Sequence, residues 1–176
     1  MKIAKMAMIL LLAQTTTLMA QEMSKGERLA REWERAKAYT QEYLEAMPAD
    51  KFDFKATPEV RSFAQQFLHL TEANYAFASA ATGAASPVGM GESEETADTS
   101  KENVTQLVLA GYDFVIEQLK GVSDGTLEER VSMFDRFEMS KGDAIEKAFE
   151  HQTHHRGQTT IYLRLAGVTP PQEKLF

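Results

Sequence analysis

Four long segments of this chain carry apolar residues at every third or fourth position, the spacing of one face of an α-helix. Each segment is followed by a residue that ends helices. The segments cover residues 24–47, 57–82, 100–120 and 140–166, and the ending residues are Pro48, Gly83, Gly121 and Gly167. No stretch alternates convincingly between apolar and polar residues as a half-buried strand does. The pattern therefore predicts an all-α fold, a four-helix bundle.

The connections between these segments are of three kinds. Residues 49–56 are expected to form an extended connector, after which Thr57-Pro58-Glu59 has the composition of a helix start. Residues 84–99 contain Ser, Pro and Gly and an acidic run at 92–98, which predicts a mobile loop whose role the sequence does not define. Residues 125–139 follow no single period, and we expect an irregular connector packed over the bundle.

The N-terminus has the organisation of a secretory signal peptide. Lys2 and Lys5 precede an apolar run, and Leu18-Met19-Ala20 offers a small residue for cleavage. This predicts a signal peptide at residues 1–20, a bundle domain at 21–176, and export to the periplasm. After cleavage no integral membrane span is expected. The alternative is an uncleaved N-terminal anchor, although the apolar run is short for a span.

Composition excludes some partners and ligands. Cleavage after residue 20 would leave 17 basic and 26 acidic residues, a net charge of −9 with histidine neutral. An acidic chain without basic clusters is a poor match for nucleic acid, whose phosphates must be neutralised. There is no cysteine, so a metal site would have to use nitrogen and oxygen ligands.

Three of the four histidines lie in one short stretch near the C-terminus. His151 and His155 are four residues apart, so on a helix their Cβ atoms would be about 6 Å apart on one face. That face continues an apolar stripe, and His69 lies near the inward stripe of the second helix. The arrangement predicts one divalent metal ion bound by His69, His151 and His155, with Zn, Ni, Fe and Mn all open. The alternative is that these are hydrogen-bonded core or surface histidines without a ligand.

Neighbouring residues carry further expectations. His154 is expected to face solvent or a helix edge, Arg156 to pair with an acidic residue of another helix, and Gly157 to mark a close helix crossing. Glu72 and Glu150 could support the histidines or accept protons, but solvated helix-face charges are the favoured interpretation. The sequence contains no nucleophile motif, so no catalytic residue is assigned.

Two blocks of sequence resemble the DinB/YfiT-like proteins. They are HQTHHRGQ at 151–158 with YLRLAGVTPP at 162–171, and LEAMPADKFDFKATPEVRSF at 44–63 with the nearby His69. The resemblance spans about residues 27–171. It implies a four-helix bundle with a long crossover connection, often a homodimer, and a divalent metal held by His69, His151 and His155. Relatives in this family include thiol-dependent transferases and isomerases.

These observations lead to two functional hypotheses. The first is a metal-dependent hydrolase or (thiol) transferase, in which an open coordination position activates water or a small-molecule substrate. The second is a non-catalytic exported metal-binding or stress-related bundle. A third is a purely structural bundle, in which the histidines are hydrogen-bonded core residues and bind nothing. Access from solvent to the histidines distinguishes the first two hypotheses.

Overall fold

A computed structural model describes residues 23–176 as a bundle of four long helices with a small hairpin. The long helices are α1 (Lys25–Ala46), α2 (Phe63–Thr82), α3 (Lys101–Lys120) and α5 (Lys141–Leu165). A short helix α4 (Asp124–Glu128) and strands β1 (Arg130–Met133) and β2 (Phe137–Ser140) lie between α3 and α5. The all-α prediction is confirmed. The predicted signal peptide at 1–20 lies outside the described residues.

Helix packing brings α2 to the centre of the arrangement. It packs most extensively against α5 and α3, while α1 packs mainly against α3. The shared core is aromatic and aliphatic, and its largest fully buried side chains include Trp33, Phe63, Phe67, Tyr112 and Leu119. The contact between α2 and α5 matters for function, because the predicted metal ligands lie on these two helices.

The start of α2 differs from the prediction. The helix begins at Phe63 and not near Thr57, because Ser62 and Gln65 form a reciprocal capping box there. Backbone carbonyls of the preceding connector then accept hydrogen bonds from the first turn: Phe63 N donates to Phe54 O at 3.0 Å and Ala64 N to Phe52 O at 2.8 Å. The connector itself is not simply extended, since Ala49–Lys51 forms a 3₁₀ turn.

The expectation of no strands is also wrong. Strands β1 and β2 pair antiparallel, with Val131 opposite Met139 and Met133 opposite Phe137. Their connection places Phe134 and Asp135 at φ values of 55° and 52°, a left-handed conformation usually announced by Gly or Asn. Other boundaries agree with the prediction: Gly83 ends α2 at φ 78°, and Ser140 caps α5 with Asp143 in a capping box. Within the described residues, none of the helices combines the length and apolarity that crossing a membrane requires.

Candidate metal centre

The structure brings together the three histidines that the spacing selected. His69 lies two turns into α2, and His151 and His155 lie on the facing side of α5. Their ring centroids are 5.0 Å (His69–His151), 4.6 Å (His69–His155) and 4.4 Å (His151–His155) apart. One nitrogen from each ring can be chosen so that all three lie within 4.8 Å of one another. No other such group occurs among residues 23–176.

His155 is the most buried of the three, at 7% exposure, and its ring orientation is fixed. Its Nδ1 atom lies 2.7 Å from Oε1 of Gln66 on α2. The amide nitrogen of Gln66 donates to Oε1 of Gln158 at 2.9 Å and to the hydroxyl oxygen of Tyr162 at 3.3 Å. The amide oxygen of Gln66 is therefore the atom that faces His155, and Nδ1 of His155 carries the hydrogen. Nε2 is left free for a ligand.

His69 is held from the other side by a residue that the sequence did not identify. Nδ1 of His69 is hydrogen-bonded to the carboxylate of Glu94, which lies on the loop between α2 and α3. Nη2 of Arg61 lies 3.7 Å from the second oxygen of Glu94. No local signal could have found Glu94, because its position depends on how an irregular loop folds back over α2.

His151 has a buried nitrogen without a partner. Its Nδ1 atom makes no hydrogen bond with any residue in the range 23–176. The same side chain lines a cleft of about 330 Å³ with Phe77 of α2 and with Lys147, Glu150 and His154 of α5. An unpaired buried ring nitrogen requires an explanation, and a bound metal ion would supply the missing partner.

The electrostatic environment keeps two of the rings neutral. The pKa of His151 is lowered to about 4, first by burial and then by the charges of His69 and His154. The pKa of His155 is lowered to about 3, again first by burial and then by His151 and His69. Neutral imidazole is the form that binds metals, so near neutral pH no proton has to leave these rings before a metal binds.

These features fit a divalent metal ion. The donor set is three imidazoles, at least two of them neutral, with one buried nitrogen lacking a partner. Hydrogen-bond acceptors on Nδ1 of His69 and His155 are the outer contacts that metal-bound histidines commonly have. Three nitrogen ligands suit Zn and other transition metals better than Ca or Mg.

Arg156 differs from its prediction. No carboxylate within the described part of the chain pairs with it; its guanidinium donates instead to Oε1 of Gln152 at 2.9 Å and to Ala36 O and Thr40 Oγ1 at 3.3 Å. Its guanidinium carbon also lies 4.6 Å from the ring centroid of Tyr39. The predicted acidic partner is wrong because neutral acceptors and an aromatic face surround this cation.

The other neighbours of the motif have mixed outcomes. His154 is exposed, as expected, and bonds to Gln158. Glu150 is a surface charge paired with Lys147 at 2.8 Å. The close crossing expected at Gly157 is wrong: a Cβ there would meet nothing within 4 Å. Glu72 is neither a free charge nor a contact of the histidines, because it binds backbone amides of the 84–99 loop.

A bundle with three convergent histidines between two facing helices belongs to the class of helical proteins that could hold a metal ion in their interior. The model of the DinB family matches residues 19–175, and the chain belongs to that family.

Two solved structures share the fold, and one curated relative matches a part of the chain. A DinB-like protein from Bacillus cereus ATCC 10987 superposes with a TM-score of 0.73 and 21% identity, covering 84% of this chain and 97% of the other. The DinB-like protein YjoA from Bacillus subtilis gives a TM-score of 0.64 and 18% identity, covering 85% and 96%. At these identities the likeness concerns the fold. The uncharacterized protein YrdA of Bacillus subtilis strain 168 is 41% identical over 49 residues, so the matched segment spans 29% of that relative and 28% of this chain.

Proposed function

We propose that this protein is a metal-dependent enzyme, a hydrolase or a group transferase that can use a thiol. Its metal ion would be held by His69, His151 and His155. The observation that carries the proposal is the convergence of these three histidines beside a cleft, with Nδ1 of His151 buried and unpartnered. A purely structural cluster would not need a solvent cleft at one of its members.

The residues around the cluster have separate tasks in this proposal. A bound divalent ion supplies Lewis acidity, which lowers the pKa of water or of a thiol and polarises a substrate. Gln66 holds His155 in the tautomer that leaves Nε2 free. Phe77 gives the cleft an apolar wall, and the ion pair of Lys147 and Glu150 lies at its rim.

The cleft also bears on the substrate. It is a solvent-open groove of about 330 Å³ beside His151, and the substrate class proposed for it is the small molecule expected from the sequence. The same cleft is the feature that favours an enzyme over a protein with a purely structural metal, because structural metal sites have their coordination positions filled by protein ligands and catalytic sites keep one open. Export to the periplasm and assembly as a homodimer belong to this proposal as expectations from the sequence and the resemblance.

Metal content tests the proposal most directly. Elemental mass spectrometry of purified wild-type protein should find about one equivalent of a transition metal, and H151A and H155A should lose it. The matched control is H154A, an exposed histidine on the same helix whose ring is not part of the cluster. If wild type and H151A hold equally little metal after reconstitution with Zn, Ni, Fe and Mn, the metal site is rejected.

Activity requires a second measurement. Metal-loaded wild type and metal-depleted wild type should be screened in parallel against ester, amide and thiol-transfer substrates. Turnover that appears only in the loaded protein and is absent in H151A supports the enzyme. Ligand exchange at the metal can be measured from the absorption spectrum of a Co²⁺-substituted protein. A spectrum that does not change when thiol or azide is added supports the non-catalytic alternative.

A further inference from the structure

We propose that Glu94 is a positioning residue for the metal ligand His69, and that Glu72 fixes the loop that carries it. This inference deepens the proposed function and rests on it. It assigns a role to the acidic loop at 84–99, which no sequence motif explained. The loop would then be a part of the metal centre rather than a linker between α2 and α3.

The first step is the contact between Glu94 and His69. A carboxylate at neutral pH only accepts hydrogen bonds, so Nδ1 of His69 must carry the hydrogen that they share. In the neutral ring Nε2 is then the nitrogen without a hydrogen, and it is the one available to a metal. Nη2 of Arg61 lies 3.3 Å from the same Nδ1, but two donors cannot bond to each other, so Arg61 acts on Glu94, 3.7 Å away.

The second step is the attachment of the loop. Glu72 lies one turn after His69 on α2, and its two carboxylate oxygens accept from two backbone amides of the loop. Gly91 N donates to Oε1 at 2.7 Å and Ser93 N to Oε2 at 3.1 Å. Because Ser93 immediately precedes Glu94, this two-point attachment sets where the Glu94 side chain begins. Ser93 itself is buried, at 3% exposure, so the attached segment lies against the bundle.

The third step is the consequence for a bound metal. A carboxylate hydrogen-bonded to one nitrogen of an imidazole fixes the ring orientation. It also makes the other nitrogen more basic and therefore a stronger ligand for a metal ion. His155 has a neutral amide, Gln66, in the corresponding position, so the negative charge is supplied at His69 alone. Losing such an outer contact typically weakens metal affinity about 10-fold to 100-fold.

The experiment measures Zn²⁺ affinity by competition with a chromophoric chelator. Wild type is compared with E94A, E94Q, E72Q and the double variant E72Q/E94A. The control is E95Q, which removes one charge from the same loop at a side chain without a hydrogen bond or ion pair among the described residues. In E72Q the new amide nitrogen faces a backbone N–H and cannot accept, so one attachment is lost.

We expect E94A to bind Zn²⁺ about 10-fold to 100-fold more weakly than wild type. E94Q keeps an acceptor without the charge and should fall between the two. E72Q keeps one of its two attachments and should fall between wild type and E94A, and the double variant should be no weaker than E94A, because Glu72 acts through Glu94. E95Q should stay within about twofold of wild type, since it touches none of these contacts.

A second measurement does not depend on metal. Long-range ¹H–¹⁵N spectra of metal-free protein should show His69 with its hydrogen on Nδ1 in wild type and in E94Q, and on Nε2 in a substantial fraction of E94A. A purely structural role of the loop would not change this tautomer. Circular dichroism of each variant identifies any that fail to fold, and E94Q then replaces E94A as the decisive variant.

Three results would overturn the inference. They are wild-type Zn²⁺ affinity in folded E94A, an Nε2–H tautomer of His69 in the wild-type protein, and a changed coordination number of Co²⁺ in E94Q, seen as a large change in the intensity of its absorption bands, which would make Glu94 a direct ligand. Failure of the proposed function looks different, because wild type itself would then bind no metal. A wild type that loses its metal in H151A while E94A binds normally rejects only the role of Glu94.

Discussion

The side chains of Gln66 and His155 join α2 to α5 at the metal centre through a hydrogen bond of 2.7 Å between Oε1 and Nδ1. Both residues are almost fully buried, so the bond is made without competing water. It sets which nitrogen of His155 is free. It also couples the packing of the two helices to the geometry of the proposed metal ligands.

Replacing Gln66 with Leu should weaken Zn²⁺ binding about 10-fold to 100-fold, because His155 loses the acceptor that fixes its tautomer. The same change should lower the free energy of unfolding by about 1–3 kcal/mol, since Nδ1 of His155 is left buried and unpaired. Chelator competition and urea denaturation measure the two effects separately.

The control for this variant is Q65L on the adjacent position. Gln65 is exposed and accepts from the Ser62 backbone N–H as part of the capping box, so its loss should cost about 1 kcal/mol of stability. It should leave Zn²⁺ affinity unchanged. Equal losses of Zn²⁺ affinity in Q65L and Q66L would show that the effect comes from a weakened α2 and not from the Gln66–His155 bond.

The metal-free protein should lose stability as the pH falls. An unfolded histidine takes up a proton near pH 6.5, whereas His151 and His155 stay neutral in the folded protein down to about pH 4 and about pH 3. At pH values below about 6.5 and above the folded-state pKa values, the unfolded state binds more protons than the folded state. The free energy of unfolding therefore decreases as the pH falls from 6.5. Urea denaturation at several pH values in the presence of a chelator measures this.

The matched variant is H151Q/H155Q, because carboxylates also titrate in this range and contribute equally to both proteins. As the pH drops from 6.5 to 4, the free energy of unfolding of wild type should decrease more than that of the variant. Parallel pH profiles would contradict the prediction and place both rings in a more solvated environment.

The sequence predicted the bundle because apolar periodicity and helix-ending residues are local signals. Gly83 and Ser140 are examples, since each needs only its neighbours to act. The hairpin of β1 and β2 was missed because its turn uses Phe134 and Asp135 in the left-handed region, where composition usually indicates Gly or Asn. The start of α2 was misplaced because two helix-start signals compete, and carbonyls of Phe52 and Phe54 favour the later one.

The same distinction between local signals and long-range contacts applies to the candidate metal centre. His151 and His155 could be paired from their spacing, and His69 from its place on an inward stripe. Glu94 could not be found, because loop closure over α2 depends on contacts such as Glu72 with Gly91 that leave no pattern in the sequence. Arg156 was expected to pair with an acidic residue of another helix, whereas its actual acceptors are neutral groups on two helices.

Two glycines in helices should respond in opposite ways to alanine. G157A should raise the free energy of unfolding by about 0.5–1 kcal/mol, since Gly157 is exposed in mid-helix with no atom within 4 Å of a new Cβ. G111A should lower it by about 1–3 kcal/mol, because its Cβ would lie 2.8 Å from Cγ2 of Thr71 where α3 meets α2. Thermal denaturation of the two variants measures both effects. A G157A variant less stable than wild type would contradict the prediction and would indicate that another helix lies close to Gly157.

The buried guanidinium of Arg156 stabilises the bundle through its shape as well as its charge. The planar group bonds to Gln152 and Thr40 side chains and stacks over Tyr39, 4.6 Å from the ring centroid. A lysine keeps the charge but presents a more strongly hydrated ammonium that cannot stack in this way. R156K should therefore lower the free energy of unfolding by about 1–3 kcal/mol.

The comparison is R31K, an arginine to lysine change at an exposed position of α1, which should stay within about 0.5 kcal/mol of wild type. Zn²⁺ content should remain near one equivalent in R156K, because the guanidinium faces α1 and not the histidine cluster. Loss of Zn²⁺ at unchanged stability would reverse this assignment, since it would mean that the buried charge serves the metal centre rather than the packing of α5 against α1.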